Sequence, residues 1–244
     1  MTGFFAVRGF RMRLPRLSVC VAAGLCVLVA ASAAAGDARR APPVDEAGEV
    51  PAFAAWRDAL LDAVRRRDTD AVVAAAEPDI RLSFGDAGRR ETFRQWLDGA
   101  PDVPWSGERY WQELEAVLAL GGRWEDWGDG VRHFCAPYTF TAPLPEELDV
   151  FDAAIVIEPD APLREGPGED AAVVASLDHD ILRVLDWGFD PEDPYAPHWL
   201  HVQTLDGARE GYVHTTQVRS PVDYRACFTE TDDGWSWPFF AAGD

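Results

Sequence analysis

The chain has 244 residues, with 22 basic side chains, all arginine, against 42 acidic ones, for a formal net charge of −20. That balance excludes nucleic acid and anionic membrane surfaces as electrostatic partners, because phosphate binding needs clustered cations. It reads as a well-solvated acidic surface and does not by itself name a cationic partner.

The first 35 residues read as an address. Arg8, Arg11, Arg13 and Arg16 precede an uncharged run from Leu17 that closes on Ala31-Ser32-Ala33-Ala34-Ala35. A positive start, an apolar stretch and small residues at its end are the parts of a secretory signal peptide. Cleavage near Ala33 or Ala35 leaves about 209 residues with a charge near −24, enough for one large domain or two small ones. An uncleaved anchor is the alternative, since the run approaches bilayer-spanning length. A lipoprotein fits less well, because Val19 and Leu25, not small residues, stand before Cys20 and Cys26. The expected location is periplasmic or secreted, with no stable membrane insertion once the signal is cut.

Residues 36–50 are charged, Pro-bearing and poor in large apolar side chains, the composition of a disordered lead. From Pro51 the period is helical: Phe53, Trp56, Leu60 and Val64 recur at spacings of three and four, opposite Arg57, Asp58 and Arg65 to Arg67. Asp68 or Thr69 caps a second short helix that runs through Ala76 and is ended by Pro78. Residues 80–84 (IRLSF) alternate and read as a strand stopped by Gly85. Arg90 to Leu97 is a short helix carrying Phe93, Trp96 and Leu97. Ser106 opens a fourth, with Tyr110, Leu114, Val117 and Leu118 on one side as far as Gly121-Gly122. Residues 133–141 (HFCAPYTFT) read as a strand interrupted at Pro137. An α+β module over 51–142 results, short of sheet partners.

Beyond the acidic connector at 143–149 the period changes to two. Residues 153–157, 173–177, 181–185, 199–203 and 211–213 are short strand candidates separated by Gly, Pro and Asp, the pattern of a small barrel or sandwich. Here APLREGPG (161–168), VVASLDHDILRVLD (173–186) and WLHVQTLDGAREGYVHTTQV (199–218) together resemble, in order and spacing, the bacterial SH3-like domain. The resemblance covers about 152–221, and it implies an all-β SH3-like barrel that binds a peptide or cell-envelope (cell-wall) ligand. Three departures stand out. Pro162 replaces the usual Asn, Asp178-His179-Asp180 replaces a turn glycine, and residues 188–197 (GFDPEDPYAP) are inserted where such folds build their groove. The residues also make sense without the name. Gly166-Pro167 and Asp206-Gly207 are turn signals, and Gly211 permits close backbone approach. Trp187, Tyr195, Trp199 and Tyr212 are the candidate ligand-binding aromatics; the alternative for Trp199 and Tyr212 is barrel core.

Residues 225–230 and 235–240 flank Thr231-Asp232-Asp233-Gly234 and read as a β-hairpin in the tail over 222–244. Its apolar load is too great for a free end, so it is expected to return to the first module and pair near 133–141. Once the signal is removed, Cys135 and Cys227 are the two remaining cysteines. In an oxidising compartment they read first as one disulfide, with a pair of buried thiols as the alternative.

No catalytic, metal or cofactor site is expected. Cys135 and His133 are two apart on a strand, with no sign of an activated thiolate. His198 and His201 are three apart on a strand and face opposite sides. No phosphate loop, dinucleotide fingerprint or nucleophile elbow occurs. The reading is therefore a non-enzymatic binding or scaffolding protein. As an alternative, the helix from Phe53 and a Gly-Trp hairpin resemble the nuclear-transport-factor-2-like cone. That resemblance implies a small-molecule or lyase pocket in 51–142 among Trp96, Trp111 and Trp124.

Overall fold

The computed structural model describes residues 39–85, 88–100, 107–128, 130–190 and 196–243. The expected signal peptide and Tyr195 therefore lie outside the described residues. Helix α1 (Pro51–Arg65) has Pro51 in its first turn, where the missing N–H costs nothing, and buries Phe53, Leu60 and Val64. It ends where Arg67 turns left-handed at φ 58°. Helix α2 (Thr69–Ala75) then starts with the Asp68 carboxylate accepting the Ala71 N–H at 3.0 Å.

The chain passes directly into strand β1 (Ala76–Arg81). This corrects the expectation of a helix through Ala76 and a strand over 80–84. Pro78 sits inside the strand, which is possible because β1 lies at a sheet edge. Helix α3 (Arg90–Leu97) buries Phe93 and Leu97. Helix α4 (Glu108–Ala119) buries Tyr110, Trp111, Leu114, Val117 and Leu118, with the left-handed Gly121 just beyond its end. Strand β2 (Arg123–Asp126) pairs with β3 (Arg132–Ala136), which stops at the cis peptide before Pro137 and does not reach Thr141.

The expected lead of disorder over 36–50 is also corrected, from Arg39 onward. Arg40 bridges Asp180, Ala41 and Ala47 are buried, and a turn of 3-10 helix spans Ala47–Glu49. Glu46 fixes the strap at its far end. Its N–H reaches the Gly122 carbonyl at 2.9 Å, its carboxylate accepts the Trp124 N–H at 2.9 Å, and its carbonyl accepts the Trp124 indole at 3.1 Å. These partners are distant in sequence, and composition carries no trace of them.

The second half is strand-rich: β4 (Ala153–Val156), β5 (Ala161–Arg164), β6 (Val173–Leu177), β7 (Ile181–Asp186), β8 (Trp199–Thr204), β9 (Glu210–His214) and β10 (Val218–Arg219). They make a seven-stranded antiparallel sheet in the order β10-β4-β7-β8-β9-β5-β6. Val218 from one edge and Leu177 near the other edge belong to one apolar core with Ala154, Leu163, Leu182, Leu200, Val202 and Val213, so the sheet curls around its own inner face. His179 holds the β6–β7 turn at φ 57°, the left-handed position a glycine would otherwise fill.

Strands β11 (Arg225–Thr231) and β12 (Gly234–Ala241) return to the first sheet, whose order is β1-β12-β11-β3-β2. The hairpin fills the centre, pairing parallel with β1 and antiparallel with β3. Cys227 lies directly opposite Cys135, and the two form a disulfide with a sequence separation of 92. The seven-stranded sheet is thus inserted between two adjacent strands of the five-stranded one. The aromatic core under α1 shows why the hairpin belongs there: Phe53 lies 4.6 Å from Phe134, 4.8 Å from Trp235 and 5.8 Å from Phe228, ring centre to ring centre.

Two features join the sheets. One is a small core of Ala41, Tyr138, Leu148, Ala153, Ile155 and Ile181. Burial pushes the Tyr138 phenol up to about 12. The other is polar. Arg219 of β10 meets Glu113 of α4 at 3.0 Å and donates to the Tyr224 carbonyl at 2.8 Å. Asp223 accepts the Ser220 N–H at 2.9 Å, and burial raises its carboxyl above the usual range despite the neighbouring Arg219.

Candidate functional site

Alternation along β8 and β9 decides which side chains are available. Leu200, Val202 and Val213 point into the core, while Trp199, His201, Gln203, Tyr212 and His214 are half-buried on the other face. Trp199 and Tyr212 therefore stand outside the apolar core of this sheet. Gly211 makes this geometry possible, because a Cβ there would collide with the Arg164 carbonyl of β5.

Cross-strand register assembles a continuous row over four strands. Asp186 of β7 pairs with His201 of β8, His201 with Tyr212 of β9, and Tyr212 with Arg164 of β5. The His201 and Tyr212 rings stack at 4.8 Å and 16°, and His201 Nε2 lies 3.0 Å from Glu210. One position further along, Trp199 sits edge-on to His214 at 5.1 Å, and His214 Nδ1 contacts the Thr216 hydroxyl at 2.8 Å. Each ring is held by a neighbour, so the face presents ordered aromatic surface with little left to immobilise on binding.

Trp187 lies where the chain leaves β7. It packs against the apolar core of the seven-stranded sheet and stacks on Phe189 at 5.9 Å and 7°. His198 braces this loop, with Nε2 2.8 Å from the Trp187 carbonyl and Nδ1 2.6 Å from that of Ala196. His198 precedes β8 and does not sit on it, so the two-sided strand arrangement expected for His198 and His201 is replaced by a brace and an outer-face ring. Phe189, stacked on Trp187, is 56 % exposed.

Of the four candidate aromatics, then, the structure brings Trp199 and Tyr212 onto one face and puts Trp187 at its margin. His201, His214, Asp186 and Arg164 line up with them on the same sheet and were not among the candidates from sequence. Period two alone was enough to place His201 beside Trp199. Asp186 needs the β7 bulge to reach its position, and no sequence signal marks that.

Elsewhere, Cys135 is consumed by the disulfide and has no thiol to ionise. His133 lies under Trp127, the rings 4.0 Å apart. Among the described residues, no group of three or more His, Cys, Asp or Glu side chains is placed to hold a metal ion. The three tryptophans considered for a pocket act as packing. Trp111 is buried with its indole N–H on the Leu97 carbonyl at 3.1 Å, Trp96 lies against Tyr110, and Trp124 against Phe53 and Phe134. Among the described residues, no helix is long and apolar enough to cross a membrane. No protein-family model, characterised protein or solved structure matches the chain.

Proposed function

We propose that this is an exported, non-catalytic binding or scaffolding protein. In this reading the segment 152–221 is a bacterial SH3-like barrel that holds a peptide or cell-wall fragment against its outer aromatic face. The observation that carries the proposal is the outward placement of Trp199 and Tyr212 on adjacent strands, each ring braced by a histidine. An apolar ring left half-exposed and fixed in orientation contributes contact area on binding at low entropic cost. The shared core of Val218 and Leu177 supports barrel-like curling, and the close approach at Gly211 supports the family's closing motif. A buried disulfide agrees with an oxidising compartment.

The test is titration of the purified protein with soluble peptidoglycan fragments, followed by tryptophan fluorescence, with Trp199→Ala and Tyr212→Ala beside the wild type. Saturable binding weakened at least about tenfold by either variant is expected, the loss of one or more kcal/mol typical of an anchoring ring. Failure of wall fragments to bind, together with turnover of a small metabolite, overturns the proposal.

A further inference from the structure

A second site lies at the opposite end of the β8–β9 hairpin. A cleft of about 530 Å³ opens between the strap residues Arg39 and Arg40, the start of β7 at Asp180 and Ile181, and the hairpin turn from Thr204 to Arg209. Its volume falls in the range of small-molecule sites. Two of its three walls carry guanidinium groups, in a chain whose acids outnumber its bases by 42 to 22. We infer that this cleft binds a small oxyanion, a carboxylate or phosphate group, between Arg40 and Arg209.

The argument rests on how the two signs of charge are engaged. Both acids in the cleft are tied into their own turns. Asp206 Oδ1 accepts the Thr204 hydroxyl at 2.7 Å and the Ala208 N–H at 3.0 Å, and Asp180 Oδ2 accepts the Asp178 N–H at 2.7 Å. Arg40 and Arg209 instead each reach outward to one acceptor. Arg40 meets Asp178 at 3.0 Å, and Arg209 donates to the Val174 carbonyl at 3.2 Å. A guanidinium carries five N–H donors in a planar fork. Among the contacts of the described residues, Arg40 and Arg209 each use one nitrogen, which leaves others for a ligand.

Holding the strap does not require these side chains. Backbone bonds already do it, from Ile181 N–H to the Arg39 carbonyl at 2.8 Å and from Ala41 N–H to the His179 carbonyl at 2.9 Å. Exposed ion pairs such as Arg40–Asp178, with side chains 48 % and 47 % exposed, add little to that. A bidentate oxyanion gives the Arg40 and Arg209 guanidinium groups a better partner than either has.

The experiment titrates the purified protein at low salt with inorganic phosphate and, separately, with citrate. Amide NMR shifts of Gly207 and Ala208 and the thermal midpoint are followed. Saturable shifts confined to the strap and the hairpin turn are expected, weakened at least tenfold in Arg40→Gln/Arg209→Gln and unchanged in Arg183→Gln on the outer face. Saturation by citrate alone assigns a carboxylate ligand; saturation by phosphate assigns a phosphate ligand. Shifts that grow linearly without saturation, or saturable binding that survives the double substitution, overturn the inference. The wild-type shift map localises the site independently of how the variants fold.

Discussion

Removing the Cys135–Cys227 bond tests the insertion topology most severely. Both cysteines are buried at the junction of β3 and β11, and the bond closes a loop with a separation of 92 residues that contains the whole seven-stranded sheet. In the chain-entropy treatment, a loop of that size restrains the unfolded chain by about 4.6 kcal/mol at 25 °C. For a folded unit of this size, that corresponds to a fall in Tm of roughly 9–18 °C. The assay is urea unfolding of the oxidised protein, the reduced protein and Cys135→Ala/Cys227→Ala, with free thiols counted before each run. The reduced form and the double variant are expected to unfold at clearly lower urea, with the alanine variant lower again by the small packing loss of two sulfurs. Two native thiols that titrate without denaturant, or midpoints differing by under about 1 kcal/mol, would refute the reasoning. Either result would mean that the two strands are not held as neighbours across the inserted sheet.

Three further outcomes follow from the same geometry. Tyr138 is 1 % exposed and its hydroxyl has no hydrogen-bond partner among the described residues, so Tyr138→Phe is expected to stabilise by about 1 kcal/mol at pH 7. The folded phenol titrates above its ordinary value, so wild-type stability is complete below pH 10 and falls by up to about 3 kcal/mol toward pH 12. Denaturant midpoints from pH 8 to 11 check both claims, and an alkaline loss that persists unchanged in the phenylalanine variant contradicts them. Asp223 has its carboxyl raised chiefly by burial, so the wild type loses stability as pH rises from the ordinary carboxylate value through the raised one. Asp223→Asn is therefore expected to gain in Tm over wild type as pH goes from 4 to 7, and a growing deficit would refute this. Gly211→Ala drives a Cβ into the Arg164 carbonyl and against Leu163, at a cost of about 1–3 kcal/mol; an unchanged midpoint would show that β9 and β5 are further apart than described.

Five of the seven strands in the second half were legible in the sequence as short apolar stretches separated by Asp, Gly and Pro, while β5 and the two-residue β10 were not read as strands. The tail hairpin was legible because it carries too many rings to be free. What sequence hid has physical reasons. β1 follows an alanine-rich helix without a break and contains a proline, and its strand identity comes from parallel pairing with β12, more than 150 residues away. β2 reads Arg-Trp-Glu-Asp, with no alternation to announce it. The strap from Arg39 looks disordered by composition, and its order comes from Gly122, Trp124 and His179. At the candidate face, period two located the rings, while the bulge that brings Asp186 opposite His201 is a feature of pairing alone.

The indole N–H resonance of Trp199, assigned by its loss in Trp199→Phe, tests the central claim directly. On addition of soluble peptidoglycan fragments it should shift and saturate along with Tyr212 and His214, while the indole of the buried Trp111 stays still. Saturable binding that leaves Trp199 unmoved and shifts the tryptophans packed under α1 would contradict the account.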